Sequence, residues 1–161
     1  MAGSCLEYTR IYVTVYDLYT RWLFNWRGVS ILMQILWIGF GSAIGGSIRY
    51  LLDISYLQLG WSNFPVMTLC INISGSFLLG YLTGLWSGLR DKEINPLTQH
   101  FWITGFCGGY TTFSAFSWQV LTLLQDVGGL QAGIYAAASV GFGFLAVWVG
   151  LSIGSRGNEF T

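Results

Sequence analysis

Residues 105–118 read Gly105-Phe106-Cys107-Gly108-Gly109-Tyr110-Thr111-Thr112-Phe113-Ser114-Ala115-Phe116-Ser117-Trp118. The stretch lies inside an apolar region, yet it holds three glycines, two adjacent threonines and two phenylalanines three positions apart. A plain membrane-spanning helix is instead rich in Leu, Ile and Val. Because glycine and threonine are poor helix formers, we expect the helix to break within residues 107–112. The rest of the chain is then a scaffold around this break.

The composition is that of a membrane protein. Of 161 residues, 53% are hydrophobic and 9% are charged, whereas soluble domains carry about a quarter charged residues. Long runs without Asp, Glu, Lys or Arg are typical of helices of about 20 residues that cross a lipid bilayer. We therefore predict an all-α, multi-pass protein of the cell (inner) membrane. The formal net charge of zero and the lack of a basic cluster argue against a nucleic-acid partner.

Four candidate spans follow one another along the chain, at residues 34–56, 65–89, 97–124 and 131–153. The only two prolines, Pro65 and Pro96, stand at the starts of the second and third spans, where a missing N–H has no cost. Gly41 and Gly45 in the first span permit close helix packing. The third span contains the stretch quoted above. The sequence thus predicts a four-helix subunit whose third transmembrane helix is broken.

The N-terminal extension, residues 1–32, differs from the rest. Its apolar and aromatic side chains recur at spacings of three and four opposite charged ones, which indicates an amphipathic helix in the membrane interface. Met33, however, directly precedes the first uncharged run, so a chain start at Met33 is an equally good interpretation. We divide the chain into this extension and a four-span domain at residues 33–161.

A break at bilayer depth releases main-chain groups that must find partners. Freed carbonyls bind hard cations, and freed N–H groups and hydroxyls donate to anions. The residues therefore leave two options open, a carbonyl-bound cation and a permeating anion, which do not exclude each other. Phe113 and Phe116 share a helical face, where their ring edges offer partial positive charge to an anion or simply pack.

Polar residues in the other spans are open to two interpretations as well. Asn72 lies in the middle of the second span, where an amide is costly without a partner. Its amide either makes a hydrogen bond that packs two helices together or lines a pore as a donor. Tyr135 and Ser139 stand four residues apart in the fourth span beside three alanines. The face of the fourth span that carries these two residues is predicted to contact either protein or water.

Taken together, these residues resemble the signature of the Fluc (CrcB) fluoride channels. The similarity lies in Gly-Phe-Cys-Gly-Gly-Tyr-Thr-Thr-Phe-Ser-Ala-Phe, and it extends through all four spans from Met33 onward. It includes Arg49-Tyr50 after a Gly-Gly pair, Asn72 followed by Gly75, and Tyr135 with Ser139. Ala115 departs from the family's usual Thr, so this chain lacks the hydroxyl that the family commonly has at that position.

The resemblance implies a passive, fluoride-specific channel that exports fluoride and so lowers its concentration and toxicity in the cytoplasm. It implies two subunits paired antiparallel, with pores along the dimer interface. It also implies a structural Na⁺ at the dimer centre, not transported, held by the main-chain carbonyls of Gly108 and Thr111 from both subunits. By the same resemblance the fluoride pore is lined by Phe113, Phe116, Asn72, Tyr135, Ser139, Ser114 and Thr112.

The distribution of positive charge bears on the dimer. Counting the spans in order places six of the seven Lys and Arg residues on the side of the N-terminus, with Arg49 alone towards the other side. The positive-inside rule then favours one orientation, whereas an antiparallel homodimer needs both. We expect the homodimer, and a heterodimer with an oppositely oriented paralogue is the alternative.

Two other functions are open to a chain of this composition. A small proton-coupled exporter of four-span subunits would need a membrane-embedded carboxylate, for which Asp53, near a span end, is the candidate. A membrane scaffold would use the glycines and hydroxyls for packing alone. We do not expect an enzyme, because no embedded His, Cys or carboxylate set has catalytic spacing.

Overall fold

The computed structural model describes residues 30–58, 65–88 and 95–156, together with Tyr16, and these residues form helices and no strands. The all-α class predicted from the sequence is confirmed. The predicted helix of residues 1–32 lies, apart from Tyr16 and residues 30–32, outside the described residues.

Three long helices match three of the predicted spans. Helix α1 comprises Ile31–Gln58, α2 comprises Val66–Gly88 and α6 comprises Gly129–Arg156. In the described part of the chain, these three are long and apolar enough to cross a membrane. Pro65 directly precedes α2, as expected for a residue that cannot donate within a helix.

The third predicted span, residues 97–124, consists of several segments. It begins with α3, Pro96–Gln99, continues as a π-helix over His100–Cys107, and ends its first part with α4, Gly108–Tyr110. Helix α5, Phe113–Asp126, follows after two non-helical residues. We call residues 96–110 the first half-helix and α5 the second half-helix. The π-helix was not predicted, since its wider hydrogen-bonding pattern is rare and has no simple sequence pattern.

The start of the first half-helix follows from Asn95 and Pro96. The side chain of Asn95 caps the helix, since its Oδ1 accepts a hydrogen bond from the Leu97 N–H at 3.0 Å. Pro96 takes the first helical position, where its fixed φ and missing N–H suit the first turn.

Glycines set how the helices pair. A Cβ on Gly41 or Gly45 of α1 would collide with the main-chain oxygens of Phe101 and Phe106 in the first half-helix, so the predicted close packing at these glycines is confirmed. Helices α2 and α6 pair in the same way. Their glycines each lie against a main-chain oxygen of the other helix: Gly80, Gly84, Gly150 and Gly154. Such contacts bring two backbones close together, which is how helices associate in lipid.

Helices α5 and α6 form a tight hairpin. Gly128 has φ of 133°, a conformation that side chains disfavour, and its N–H donates to the Leu123 carbonyl at 2.8 Å. Leu123, Ala132 and Tyr135 are buried together between the two helices. This hairpin places the second half-helix against the polar face of α6.

The outer surface is apolar. Leu130 and Phe144 of α6, for example, are 74% and 75% exposed. Large side chains of this kind on the outside suit lipid or another protein surface rather than water.

Candidate functional site

The helical backbone stops at Tyr110 and resumes at Phe113. Between them Thr111 has φ −75° and ψ 157°, and Thr112 has φ −146° and ψ 121°, so both residues are extended. The two β-branched residues favour extended backbone, and the preceding glycines weaken the helix. The local sequence therefore agrees with the two extended residues between Tyr110 and Phe113. That the two half-helices form one broken transmembrane helix stays a prediction.

Hydroxyl groups satisfy part of the interrupted backbone. The Thr111 N–H and Oγ1 both donate to the Cys107 carbonyl, at 3.0 and 2.8 Å. On the other side of the interruption, Thr112 Oγ1 caps α5 by accepting from the Ala115 N–H at 3.1 Å. Thr112 Oγ1 also lies 3.2 Å from the hydroxyl of Ser114.

Asn72 of α2 pairs with the main chain of Thr112. Its Oδ1 accepts from the Thr112 N–H at 2.9 Å, and its Nδ2 donates to the Thr112 carbonyl at 3.1 Å. One side chain thus satisfies both polar groups of an extended residue, much as a neighbouring strand would do. The amide predicted to be either a packing group or a pore donor is therefore a packing group in at least this contact.

The region where α2 passes the interruption has no room for a side chain. A Cβ on Gly75 would collide with the methyl group of Thr111 and the ring of Tyr110. One position earlier, the hydroxyl of Ser74 lies 3.1 Å from that of Tyr110. Gly75 therefore lets α2 approach closely enough for Asn72 to reach Thr112.

The two phenylalanines of the stretch form an aromatic row with Tyr135. The ring centroids of Phe113 and Phe116 are 5.6 Å apart, and those of Phe116 and Tyr135 are 5.8 Å apart. Phe113 is 78% exposed, whereas Tyr135 is 1% exposed. The row thus runs from the surface of the subunit into its core.

A chain of hydrogen bonds continues from Tyr135. Its hydroxyl donates to Gln119 Oε1 at 2.7 Å, and Gln119 Nε2 donates to Thr68 Oγ1 at 2.7 Å. Sequence reasoning missed Thr68 and Gln119. Helical spacing contained the signal, because Thr68 lies one turn before Asn72 and Gln119 lies three residues after Phe116.

Ser139 lies one turn beyond Tyr135 on α6. It is 8% exposed, and its buried hydroxyl faces the hydroxyl of Tyr135. The residues predicted to line a pore all lie in one region, around the interruption and on the adjoining face of α6. They are Phe113, Phe116, Tyr135, Ser139, Ser114, Thr112 and Asn72.

The main-chain oxygens of Gly108 and Thr111 fit a hard cation. In a continuing helix they would accept from the N–H groups of Thr112 and Ala115. Those two N–H groups donate instead to Asn72 Oδ1 and Thr112 Oγ1. Gly108 is exposed and has open space on its Cβ side. Among the described residues no group of His, Cys, Asp or Glu is arranged to hold a metal, so carbonyl oxygens are the ligands available here.

Three long apolar helices, an apolar exterior and a buried polar row define a multi-pass membrane protein. The family model described as "CrcB-like protein, Camphor Resistance (CrcB)" matches residues 36–151. The chain belongs to the CrcB family. All the site residues above lie inside the matched range.

Curated relatives are similar over most of their length. The fluoride-specific ion channel FluC of Rhizobium meliloti is 41% identical over 120 residues, which cover 74% of this chain and 94% of the relative. That of Paramagnetospirillum magneticum is 41% identical over 113 residues, covering 70% and 88%. That of Flavobacterium psychrophilum is 39% identical over 122 residues, covering 76% and 97%.

Proposed function

We propose that this chain forms a fluoride-specific channel that exports fluoride passively and so lowers its concentration and toxicity in the cytoplasm. The observation that carries the proposal is the site around the interruption, where aromatic rings, hydroxyls and an amide converge and where, among the described residues, the groups in contact with one another are uncharged. Family membership and the names of the relatives support it. Those relatives are named as ion channels, which also supports the expectation that the chain is not an enzyme.

The chemistry of the site suits a small, strongly hydrated anion. The ring edges of Phe113 and Phe116 carry partial positive charge, which attracts an anion. Hydroxyls at Ser139 and at the hydrogen-bonded pair of Thr112 and Ser114 replace water as short donors. Tyr135, whose O–H donates to Gln119, lines the path beside them. Because none of these groups carries full charge, binding stays weak enough for release. Fluoride then leaves a cell with a negative interior along its electrochemical gradient.

Asn72 has a further donor for this role. A side-chain amide carries two N–H donors, and one of them is engaged with the Thr112 carbonyl. The second is the one that we assign to fluoride. Asn72 then has two functions, holding the interruption in shape and donating to the ion.

The proposed subunit has four spans, the third formed by the two half-helices, and it pairs antiparallel with a second copy. The exposure of Phe113 supports this arrangement, since an aromatic ring that is 78% exposed is incomplete as a pore wall. A heterodimer with a paralogue is the alternative. Tags on either terminus that label from both sides of the membrane would favour the homodimer, and strictly one-sided labelling would contradict it.

At the centre of this dimer we propose a structural Na⁺ on the Gly108 and Thr111 carbonyls of both subunits. The diverted N–H groups of Thr112 and Ala115 support the assignment, because they leave these oxygens without their helical donors. When bound, such an ion contributes a fixed positive charge between the two pores. The two subunits would then hold four carbonyl oxygens around one point, those of Gly108 and Thr111 from each chain.

Reconstituted flux tests the function. Purified protein in liposomes loaded with potassium fluoride, with a potassium ionophore added, is expected to release fluoride rapidly, and liposomes loaded with chloride are expected to release almost none. Slow, saturable release that requires a pH gradient would instead support the proton-coupled exporter. Absence of fluoride release from a folded protein would contradict the channel.

A further inference from the structure

A cavity of about 580 Å³ lies beside the proposed pore. It is bounded by the end of α1, the start of α2 and the part of α5 from Trp118 to its end. Its polar lining consists of Asp53, Tyr56, Thr68, Gln119, Thr122 and Asp126. The other half of its lining is apolar and consists of Leu57, Pro65, Met67, Trp118, Leu123 and Val127. The polar half offers hydrogen-bond partners to water molecules.

The cavity connects to the polar row of the site. Thr68 and Gln119 line it and are hydrogen-bonded to each other. Gln119 accepts from Tyr135, whose ring contacts that of Phe116. Polar side chains thus follow one another from the aromatic pair to the cavity, which is how an ion path reaches water.

Acidic side chains line the cavity. Asp53 and Asp126 are the acidic residues in the described part of the chain, and both line it. The Lys and Arg residues described are Arg49 and Arg156, and neither lines it. Arg49 lies one turn before Asp53 and offsets part of its charge. Asp126 has no such neighbour among the described residues.

We infer that this cavity is one aqueous mouth of the fluoride path and that Asp126, assisted by Asp53, slows the entry of anions through it. The inference rests on the proposed fluoride conduction. Its physical reason is that a mouth lined by one sign of charge lowers the local concentration of ions of that sign. The site itself is uncharged, so these carboxylates are the groups that set the rate of entry at this end.

Neutralising Asp126 tests the inference. In an antiparallel dimer, one of the two pores fills through this mouth during efflux, so we expect Asp126→Asn to raise initial fluoride efflux roughly 1.5- to 2.5-fold at low ionic strength. Added potassium isethionate should reduce the difference, since the Debye length falls from about 10 Å at 0.1 M to about 3 Å at 1 M. Asp126→Glu keeps the charge and should behave like the wild type.

A second measurement does not depend on flux. A cysteine at Thr122, in a background with Cys5→Ala and Cys70→Ser, reports on the cavity through its reaction with charged methanethiosulfonates. The cationic reagent should react faster than the anionic one, and Asp126→Asn should lower the ratio of the two rates roughly two- to fourfold. Asp126→Glu should leave the ratio unchanged.

The outcomes separate the two proposals. If the wild type conducts fluoride and Asp126→Asn has the same efflux, this inference is overturned, but the proposed channel function is not. Equal reaction rates for the two reagents have the same meaning. An unreactive Thr122→Cys also overturns it, because the cavity would then not be aqueous. Absence of wild-type flux overturns the proposed function and the path with it.

Discussion

Asn72 is the side chain on which the geometry of the helix interruption depends. Its amide holds both the N–H and the carbonyl of Thr112. This contact diverts the Thr112 N–H from the Gly108 carbonyl, so a single side chain links the proposed pore to the proposed cation site.

Asn72→Asp removes the donor to the Thr112 carbonyl and places a negative oxygen against it. We expect fluoride efflux to fall about tenfold or more, corresponding to roughly 1.5–3 kcal/mol for a buried polar group left mispaired. The liposome assay measures this directly. Ser74→Ala, two residues further along α2, removes a hydroxyl that contacts the Tyr110 hydroxyl and the Ile71 carbonyl but not Thr112, and it should keep most of the flux. Unchanged efflux in Asn72→Asp would contradict both roles of the amide.

Phe113 separates function from folding, because its ring is largely exposed in the subunit. We expect Phe113→Ile to lower efflux about 3- to 10-fold, as the loss of an aromatic contact predicts. The stability of the subunit should barely change, since substitutions of exposed residues typically alter it by less than about 0.5 kcal/mol. Size-exclusion chromatography measures whether the dimer fraction changes as well. Leu121→Ile on the same helix is the matched control. A large fall in stability with normal specific flux would show that the ring is a packing residue.

Pairs of glycines determine which helices pack together. In α6, Gly150 and Gly154 lie against main-chain oxygens of α2, while Gly141 and Gly133 have open space around them. Glycines of one helix therefore differ in whether the structure can accommodate a larger side chain in their place. Sequence spacing correctly predicted close packing at Gly41 and Gly45, but it did not identify the partner helix.

The contrast between Gly150 and Gly141 yields a matched pair of variants. Gly150→Ala should destabilise the protein by about 1–3 kcal/mol, because the added methyl group collides with the Phe77 carbonyl and forces the helices apart. Gly141→Ala should be neutral or stabilise by up to about 1 kcal/mol through helix propensity. Thermal unfolding in detergent measures both. Equal melting temperatures for the two variants would contradict the α2–α6 packing.

Sodium removal tests the proposed assembly of the whole molecule. If the Gly108 and Thr111 carbonyls of two subunits hold Na⁺, exchange into choline chloride of equal ionic strength removes binding energy that only the folded dimer receives. We expect the melting temperature to fall by about 5 °C or more, on the scale of 2–4 °C per kcal/mol for a chain of this size. The dimer fraction in size-exclusion chromatography should fall as well. Identical values with sodium, potassium and choline would argue against the ion.

Membrane character and local backbone preference could be derived from the sequence alone. The long apolar runs predicted α1, α2 and α6 to within a few residues, because a bilayer core of fixed thickness demands apolar helices of matching length. The glycines and threonines before Phe113 agree with the extended backbone of Thr111 and Thr112, since poor helix formers weaken a helix at their own positions. The π-helix of His100–Cys107 had no comparable local signal.

Only the tertiary structure decided how the distant parts meet. Asn72 reaches Thr112 across 40 residues of sequence and Gln119 reaches Thr68 across 51, and neither pairing has a periodic pattern that announces it. In lipid, every helix face is apolar enough to tolerate its surroundings, so the choice of partner depends on where glycines let backbones approach and polar groups find each other. Composition therefore determined that this chain enters the membrane, and three-dimensional packing determined which side chains surround the interruption.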